Sequence, residues 1–299
     1  MATATAATPA VSRRVVAAEG APSKRLSLSD VQAGSKKLPS RVVFHGQAGQ
    51  GKTTWASYAT SPVFLLSPGE TGLHTLIDSG VIAKCPNVEI ESFDMLMGFV
   101  GTLTAEEHSY KTLVIDTIDG MEKEANKKHC VEAYKGDWSE KGFMGYQRGY
   151  RSTAAGPWRE LLAVLDKLRE TKRMGIILLA HTGVVNQRNP LGLDFHRYQP
   201  SMSKETWELT MSWADMVLYG ERVIVSEKKH DDRAVKGYGG DTRVMHTEWN
   251  AAFDAKNRHN LPPTIDMGNS GKEAWDNFIK AIKEGREKAA AQNGGTTNG

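Results

Sequence analysis

The chain has 299 residues, with 38 basic side chains against 35 acidic ones and a formal net charge of +3. Hydrophobic residues at 39% are enough for a buried core, and the near balance of charge leaves any nucleic-acid contact to a local patch rather than a global field. Two cysteines, Cys85 and Cys130, exclude a disulfide scaffold and point to a reducing compartment, and no apolar run approaches the roughly 20 residues that cross a bilayer.

Residues 1–38 do not read as core. Ala and Thr fill the first eight positions apart from Met1, and the basics Arg13, Arg14, Lys24, Arg25, Lys36 and Lys37 face only Glu19 and Asp30. A transit peptide and a flexible basic arm both fit this composition, and the arm is the expected reading. The apolar run Val42 to Phe44 then predicts a short strand. It leads into Gly46 to Thr53, which spells G-x-x-x-x-G-K-T, and Thr54 to Ala59 is compatible with a helix. This is the phosphate-binding P-loop in its required context. Gly46, Gly49 and Gly51 allow a tight turn that brings backbone amides to an anion, and the following helix points its N-terminus at the phosphates. Gly46, Gln47, Ala48, Gly49, Gln50, Gly51, Lys52, Thr53 and Thr54 are therefore the expected nucleotide-binding residues. The Lys52 ammonium suits the β- and γ-phosphates and the Thr53 hydroxyl suits Mg²⁺.

A second strand is predicted at Val63 to Leu66, followed by Ser67, Pro68, Gly69 and Glu70. A carboxylate just beyond the strand next to a P-loop can orient an attacking water, and Glu70 holds that place. Thr112 to Asp116 reads TLVID, a buried strand ending in a carboxylate, so Asp116 is the second expected Mg²⁺ residue; Asp119 lies close by without an assigned role. The next segment, Lys123 to Arg151, interleaves aromatics (Tyr134, Trp138, Phe143, Tyr146, Tyr150) with cations, a mixture suited to bases and phosphates, and Met121 to Tyr134 within it is expected to be helical.

Gly175 to Ala180 predicts another buried strand, ending at His181. Gly183 to Lys204 reads as a long loop carrying Asn186, Gln187, Arg188, Arg197, Tyr198 and Lys204, a length that implies a function. Thr206 to Leu218 predicts a helix and a strand, and Val223 to Lys228 an antiparallel hairpin with Thr242 to Trp249, its tip the Gly-rich stretch Lys229 to Gly240. Trp275, Phe278, Ile279 and Ile282 fall at spacings of three and four, so Lys272 to Ala291 predicts an amphipathic helix before a Gly/Thr/Asn tail. His129 and Cys130 have no partner set for a structural metal.

Strand, P-loop and helix, then strand and Glu70, strand and Asp116, and strand and His181, in that order, resemble the RecA-like ATPase core. More narrowly the chain resembles phage-encoded ATP-binding proteins of the AAA_24 and Sak type. The resemblance implies an α/β fold with a mostly parallel sheet, helices on both faces and a C-terminal antiparallel hairpin. The expected limits are a flexible basic arm at 1–38, an ATPase domain of this type at 39–268, a C-terminal amphipathic helix at 269–292 and a disordered tail at 293–299. By the same resemblance His181 senses the γ-phosphate, and the long segments after Asp116 and His181 meet single-stranded DNA. Ala255 to Pro262, AKNRHNLP, is similar to the Lys-Asn-Arg segment of RadA-type and DnaB-like ATPases, although His259 and Asn260 stand where RadA-type chains carry Phe-Gly. That similarity makes Lys256 and Arg258 trans-acting fingers toward a neighbour's nucleotide, and an arginine finger contributes roughly 10³ to 10⁵ in rate. The implied activity is Mg²⁺-dependent ATP hydrolysis on single-stranded DNA in phage recombination, annealing or replication, in a homo-oligomeric ring or filament, with a single-strand binding protein as a further partner. The implied location is cytoplasmic, the host cell's cytoplasm for a phage chain. A helicase-like motor subunit and a nucleotide-gated loader remain open beside it, and a small-molecule kinase is the weakest rival.

Overall fold

A computed structural model describes residues 27–31, 37–227 and 236–294. Most of the expected basic arm, most of the expected hairpin tip and the end of the tail lie outside the described residues, while the last residues of that tip, 236–240, begin a strand. The chain divides into two compact units, Met1–Lys37 and Leu38–Gly299. In the first, a short 3₁₀ turn covers Leu28–Asp30, opened by a reciprocal pair of contacts between Ser27 and Asp30.

In the second unit the elements follow in order: β1 (Arg41–Gly46), α1 (Lys52–Ala56), β2 (Pro62–Leu66), α2 (Gly72–Asp78), β3 (Asn87–Glu89), α3 (Phe93–Ala105), β4 (Thr112–Asp116), α4 (Ile118–Tyr134), α5 (Arg148–Thr153), α6 (Arg159–Lys172), β5 (Gly175–Gln187), β6 (Phe195–Pro200), α7 (Lys204–Trp213), β7 (Met216–Glu227), β8 (Lys236–His246), β9 (Lys256–Asn257), β10 (Thr264–Asp266) and α8 (Gly271–Gly294). The main sheet runs β10-β8-β7-β1-β5-β4-β2-β3. From β7 to β3 every neighbouring pair is parallel, whereas β8 and β10 add an antiparallel edge.

The central strands are apolar on both faces because helices cover both. Val43, Val63, Leu65, Leu113, Ile115, Ile176 and Leu178 face one core, shared with α3, α4, α6 and Trp207 of α7. Val42, Phe44, Phe64, Leu66, Val114, Ile177 and Leu179 face the other, shared with α1, α2 and α8. The period of two along each strand thus assigns alternate residues to alternate cores. On the second face Trp55 of α1 is fully buried between Trp275 and Phe278 of α8, with ring centroids 5.0 and 5.1 Å away. The helix behind the P-loop is therefore held by the amphipathic face read from the sequence. The expected architecture, a mostly parallel sheet with helices on both faces and a C-terminal antiparallel hairpin, is the one observed.

Two expectations are corrected. Gly183 to Lys204 is not a loop: β5 continues past the sheet to Gln187 and turns back through β6, with Thr182 opposite Pro200 and Gln187 opposite Phe195. The aromatics after α4 are not all free to meet a ligand. Phe143 is fully buried among Trp138, Tyr150 and Tyr134 at 4.6, 5.0 and 5.4 Å, while Tyr146, 88% exposed, stands in solvent. The local cluster forms because an exposed ring costs more than one packed on three others.

Candidate functional site

The site lies where β1, β2, β4 and β5 end. Gly46, the last residue of β1, sits opposite Gly220 of β7, and a Cβ on Gly46 would come within 2.9 Å of the Gly220 carbonyl. Only glycine permits that approach. Gly51 has φ +85°, a left-handed conformation that glycine adopts without strain, and it opens α1. The loop so formed brings Lys52 inward. Its Nζ donates to the carbonyls of Gly46 (2.9 Å) and Gln47 (3.1 Å), and the side chain is buried. Burial lowers the lysine's pKa, while the charges of Asp116, Asp119 and Glu70 oppose the shift.

Thr53 follows on the first turn of α1, and its Oγ1 donates to Asp116 Oδ2 at 2.8 Å. The two residues expected to hold a cation are thus in contact. Asp116 ends β4 and is 2% exposed, so burial pushes its pKa up to about 6, with the Thr53 hydrogen bond working against the shift. The peptide from Asp116 to Thr117 is cis. Thr117 caps α4 by accepting from the Gly120 amide at 3.3 Å, and its own amide donates to Ser67 Oγ at 3.1 Å. That cap places Asp119 in the first turn of α4, facing the end of β5. There Asp119 accepts from the His181 amide (3.0 Å), and its other oxygen lies 3.1 Å from His181 Nδ1. The pairing raises the pKa of His181. Burial alone would raise that of Asp119, but the two hydrogen bonds from His181 hold it below the ordinary carboxylate value.

Glu70 lies in the turn after β2, its Oε1 accepting from the Gly72 amide at 2.9 Å. Lys52, Thr53, Thr54, Glu70, Asp116 and His181 line one cleft of about 480 Å³. Residues read from four separate strand ends therefore meet. The donor set fits a nucleoside triphosphate with Mg²⁺: glycines where a Cβ would obstruct, a lysine turned onto the loop, and a hydroxyl touching a buried carboxylate.

Lys256 and Arg258 do not join this cleft. They follow the turn into β9, where Asn257 pairs with Met216 at the start of β7, whereas the P-loop follows the far end of β1. The Lys256 ammonium donates to three carbonyls at the end of α7, Met211 (2.6 Å), Ala214 (2.8 Å) and Ser212 (3.0 Å). Burial brings its pKa down to about 8. Arg258 is half exposed and lies 3.9 Å from Asp215.

Two arginines of the C-terminal hairpin reach the P-loop without any motif to mark them. Arg222 of β7 donates to the Gly49 carbonyl at 3.1 Å. Arg243 of β8 lines the cleft. Their signal is a strand register that no spacing in the sequence displays.

A second groove, of about 950 Å³, opens between the segment after α4, the β5–β6 hairpin and α7, and is lined by Tyr146, Arg151, Asn186, Arg188 and Lys204 among others. Among the described residues, no helix is long and apolar enough to cross a membrane.

Residues 38–259 match the family model AAA_24, an AAA domain. No curated protein matches the chain. A crystal structure of the RadB recombinase is similar to it at 11% identity and a TM-score of 0.44, over 78% of this chain and 90% of that one.

Proposed function

The chain belongs to the AAA_24 family, and from that premise we propose that it binds ATP with Mg²⁺, hydrolyses it and couples nucleotide state to binding of single-stranded DNA. The observation that carries the nucleotide part is the convergence of Lys52, the Thr53–Asp116 pair, Glu70 and His181 on one cleft, with Asp119 holding His181.

The loop from Gly46 to Thr54 would hold the phosphates, with Lys52 supplying the charge. Thr53 and Asp116 would hold Mg²⁺, which would neutralise negative charge on the polyphosphate. Asp116 serves that role as a carboxylate, so cation binding strengthens as pH rises through about 6. Glu70 orients the attacking water, and its hydrogen bond to the Gly72 amide fixes the carboxylate ahead of time. His181, tethered to Asp119, reads the presence of the terminal phosphate and sits where β5 leaves the sheet to become the hairpin arm. That position supports a link between nucleotide and groove. Lys256 and Arg258 remain candidates for contact with a neighbouring copy in a homo-oligomer, with Lys256 released from the α7 carbonyls on assembly.

The groove supports the DNA part: an exposed tyrosine beside three cations offers one stacking face and several phosphate contacts. Recombination, annealing or replication of a phage genome is the setting this reading suits, with a single-strand binding protein as a further partner. The test is fluorescence anisotropy of a labelled oligothymidylate with and without ATP. The wild-type protein should bind the strand in ATP, and a Tyr146→Ala, Arg151→Ala double variant should bind at least about tenfold more weakly, since one stacked base contributes about 1–3 kcal/mol. Equal binding by the variant would remove the groove from the account, and no binding by the wild type would remove DNA.

A further inference from the structure

Arg222 and Arg243 are directly opposite each other in the β7–β8 hairpin. Like charges at opposed positions destabilise a strand pair. Neither arginine pairs with a carboxylate among the described residues. Arg222 spends its guanidinium on two carbonyls, Gly240 (2.8 Å) and Gly49 (3.1 Å), and so braces the P-loop from outside.

Arg243 is different. Its Nη2 is anchored on the Gly268 carbonyl at 3.1 Å. Its Nη1 lies 3.1 Å from where a Cβ on Gly51 would stand, so the guanidinium rests against the loop backbone next to Lys52. The side chain is half-buried and lines the same cleft as Lys52, Thr53 and Thr54. An anchored guanidinium with spare donors, in a cleft built for an anion, needs a negative partner.

We propose that Arg243 is a nucleotide-binding residue acting in cis: its guanidinium pairs with the polyphosphate of a nucleoside di- or triphosphate held by the P-loop of the same chain. The planar fork of a guanidinium matches two phosphate oxygens at once, which an ammonium cannot do. The proposal rests on the P-loop reading above and deepens it. It also separates two functions: cis binding through Arg243 on β8, and any trans contact through Lys256 and Arg258 at the other end of the strands. A single protomer then binds nucleotide without a neighbour.

The test is a titration of the full chain with a fluorescent ADP analogue at low protein concentration, comparing wild type, Lys52→Ala, Arg243→Ala, Arg243→Gln and Arg243→Lys. The expected result is loss of binding in Lys52→Ala, a tenfold or greater weakening in Arg243→Ala and Arg243→Gln, and partial recovery in Arg243→Lys. The weakening should shrink at high salt, which a purely structural role would not produce. If Arg243→Ala fails to fold, Arg243→Gln decides, because glutamine can keep the hydrogen bond to Gly268 without the charge. Wild-type affinity in the folded neutral variants, with binding lost in Lys52→Ala, would overturn the role of Arg243 and leave the P-loop reading standing. No binding by the wild-type protein would overturn both.

Discussion

His45 stands one residue before the P-loop and is fully buried, with its ring nitrogens 2.9 Å from Thr182 Oγ1 and 2.8 Å from the Asp254 carbonyl. Burial pulls its pKa down to about 4, so the folded protein keeps it neutral. An unfolded histidine titrates near 6.5. Between pH 6.5 and 4 the unfolded state therefore binds more protons, and stability falls on acidification through that window. The full loss from this one group is about 3 kcal/mol. Asp116 acts in the opposite sense below pH 6, because its raised pKa favours the folded state in acid. The His45 contribution is thus read as a difference between two proteins. Urea unfolding of His45→Gln should show a shallower decline than wild type from pH 6.5 to 4, and parallel curves would contradict the assignment. At this scale the P-loop residues were legible because their chemistry is contiguous in the chain, and Asp116 because it ends a buried strand that follows a P-loop. Asp119 and Arg243 were not. One depends on a helix cap that turns it toward a strand 62 residues later, and the other on a cross-strand register.

The β5–β6 hairpin shows the same limit for a whole element. Much of the arm projects beyond the cores, so the apolar run that marked the inner half of β5 ends at Ala180. What fixes the arm is a buried ion pair. Arg197 of β6 donates to Asp254 Oδ1 at 2.5 Å and to the Phe253 carbonyl at 2.9 Å, while Trp207 Nε1 donates to the other Asp254 oxygen at 2.8 Å. Both charged side chains are nearly inaccessible, at 6% and 5%. The Asp254 carbonyl also bonds His45, so the turn that anchors the hairpin touches the P-loop strand. Removing one partner leaves the other charge buried and unpaired, which costs about 3–5 kcal/mol. Asp254→Ala should lower the unfolding free energy from urea titration by that amount at pH 7, and an unchanged free energy would show that the pair does not anchor the arm.

At the scale of the molecule, the two ends of the sheet are built differently. The starts of β1 and β7 are tied by Arg41, which donates to Asp215 at 2.8 Å and to Asp166 at 3.1 Å, with Lys256 capping α7 beside them. The opposite ends carry the cleft, where a lysine, a hydroxyl and two carboxylates converge and the C-terminal hairpin adds an arginine. The architecture was legible because the strand and motif order is written linearly. The geometry of the cleft was not, since it depends on which strands become neighbours. The most direct test of the central claim is the rate of ATP hydrolysis with and without single-stranded DNA, in wild type and Lys52→Ala. The account predicts Mg²⁺-dependent turnover that DNA accelerates and that Lys52→Ala abolishes under both conditions. Turnover that persists in Lys52→Ala, or a wild-type protein that never hydrolyses ATP, would contradict it.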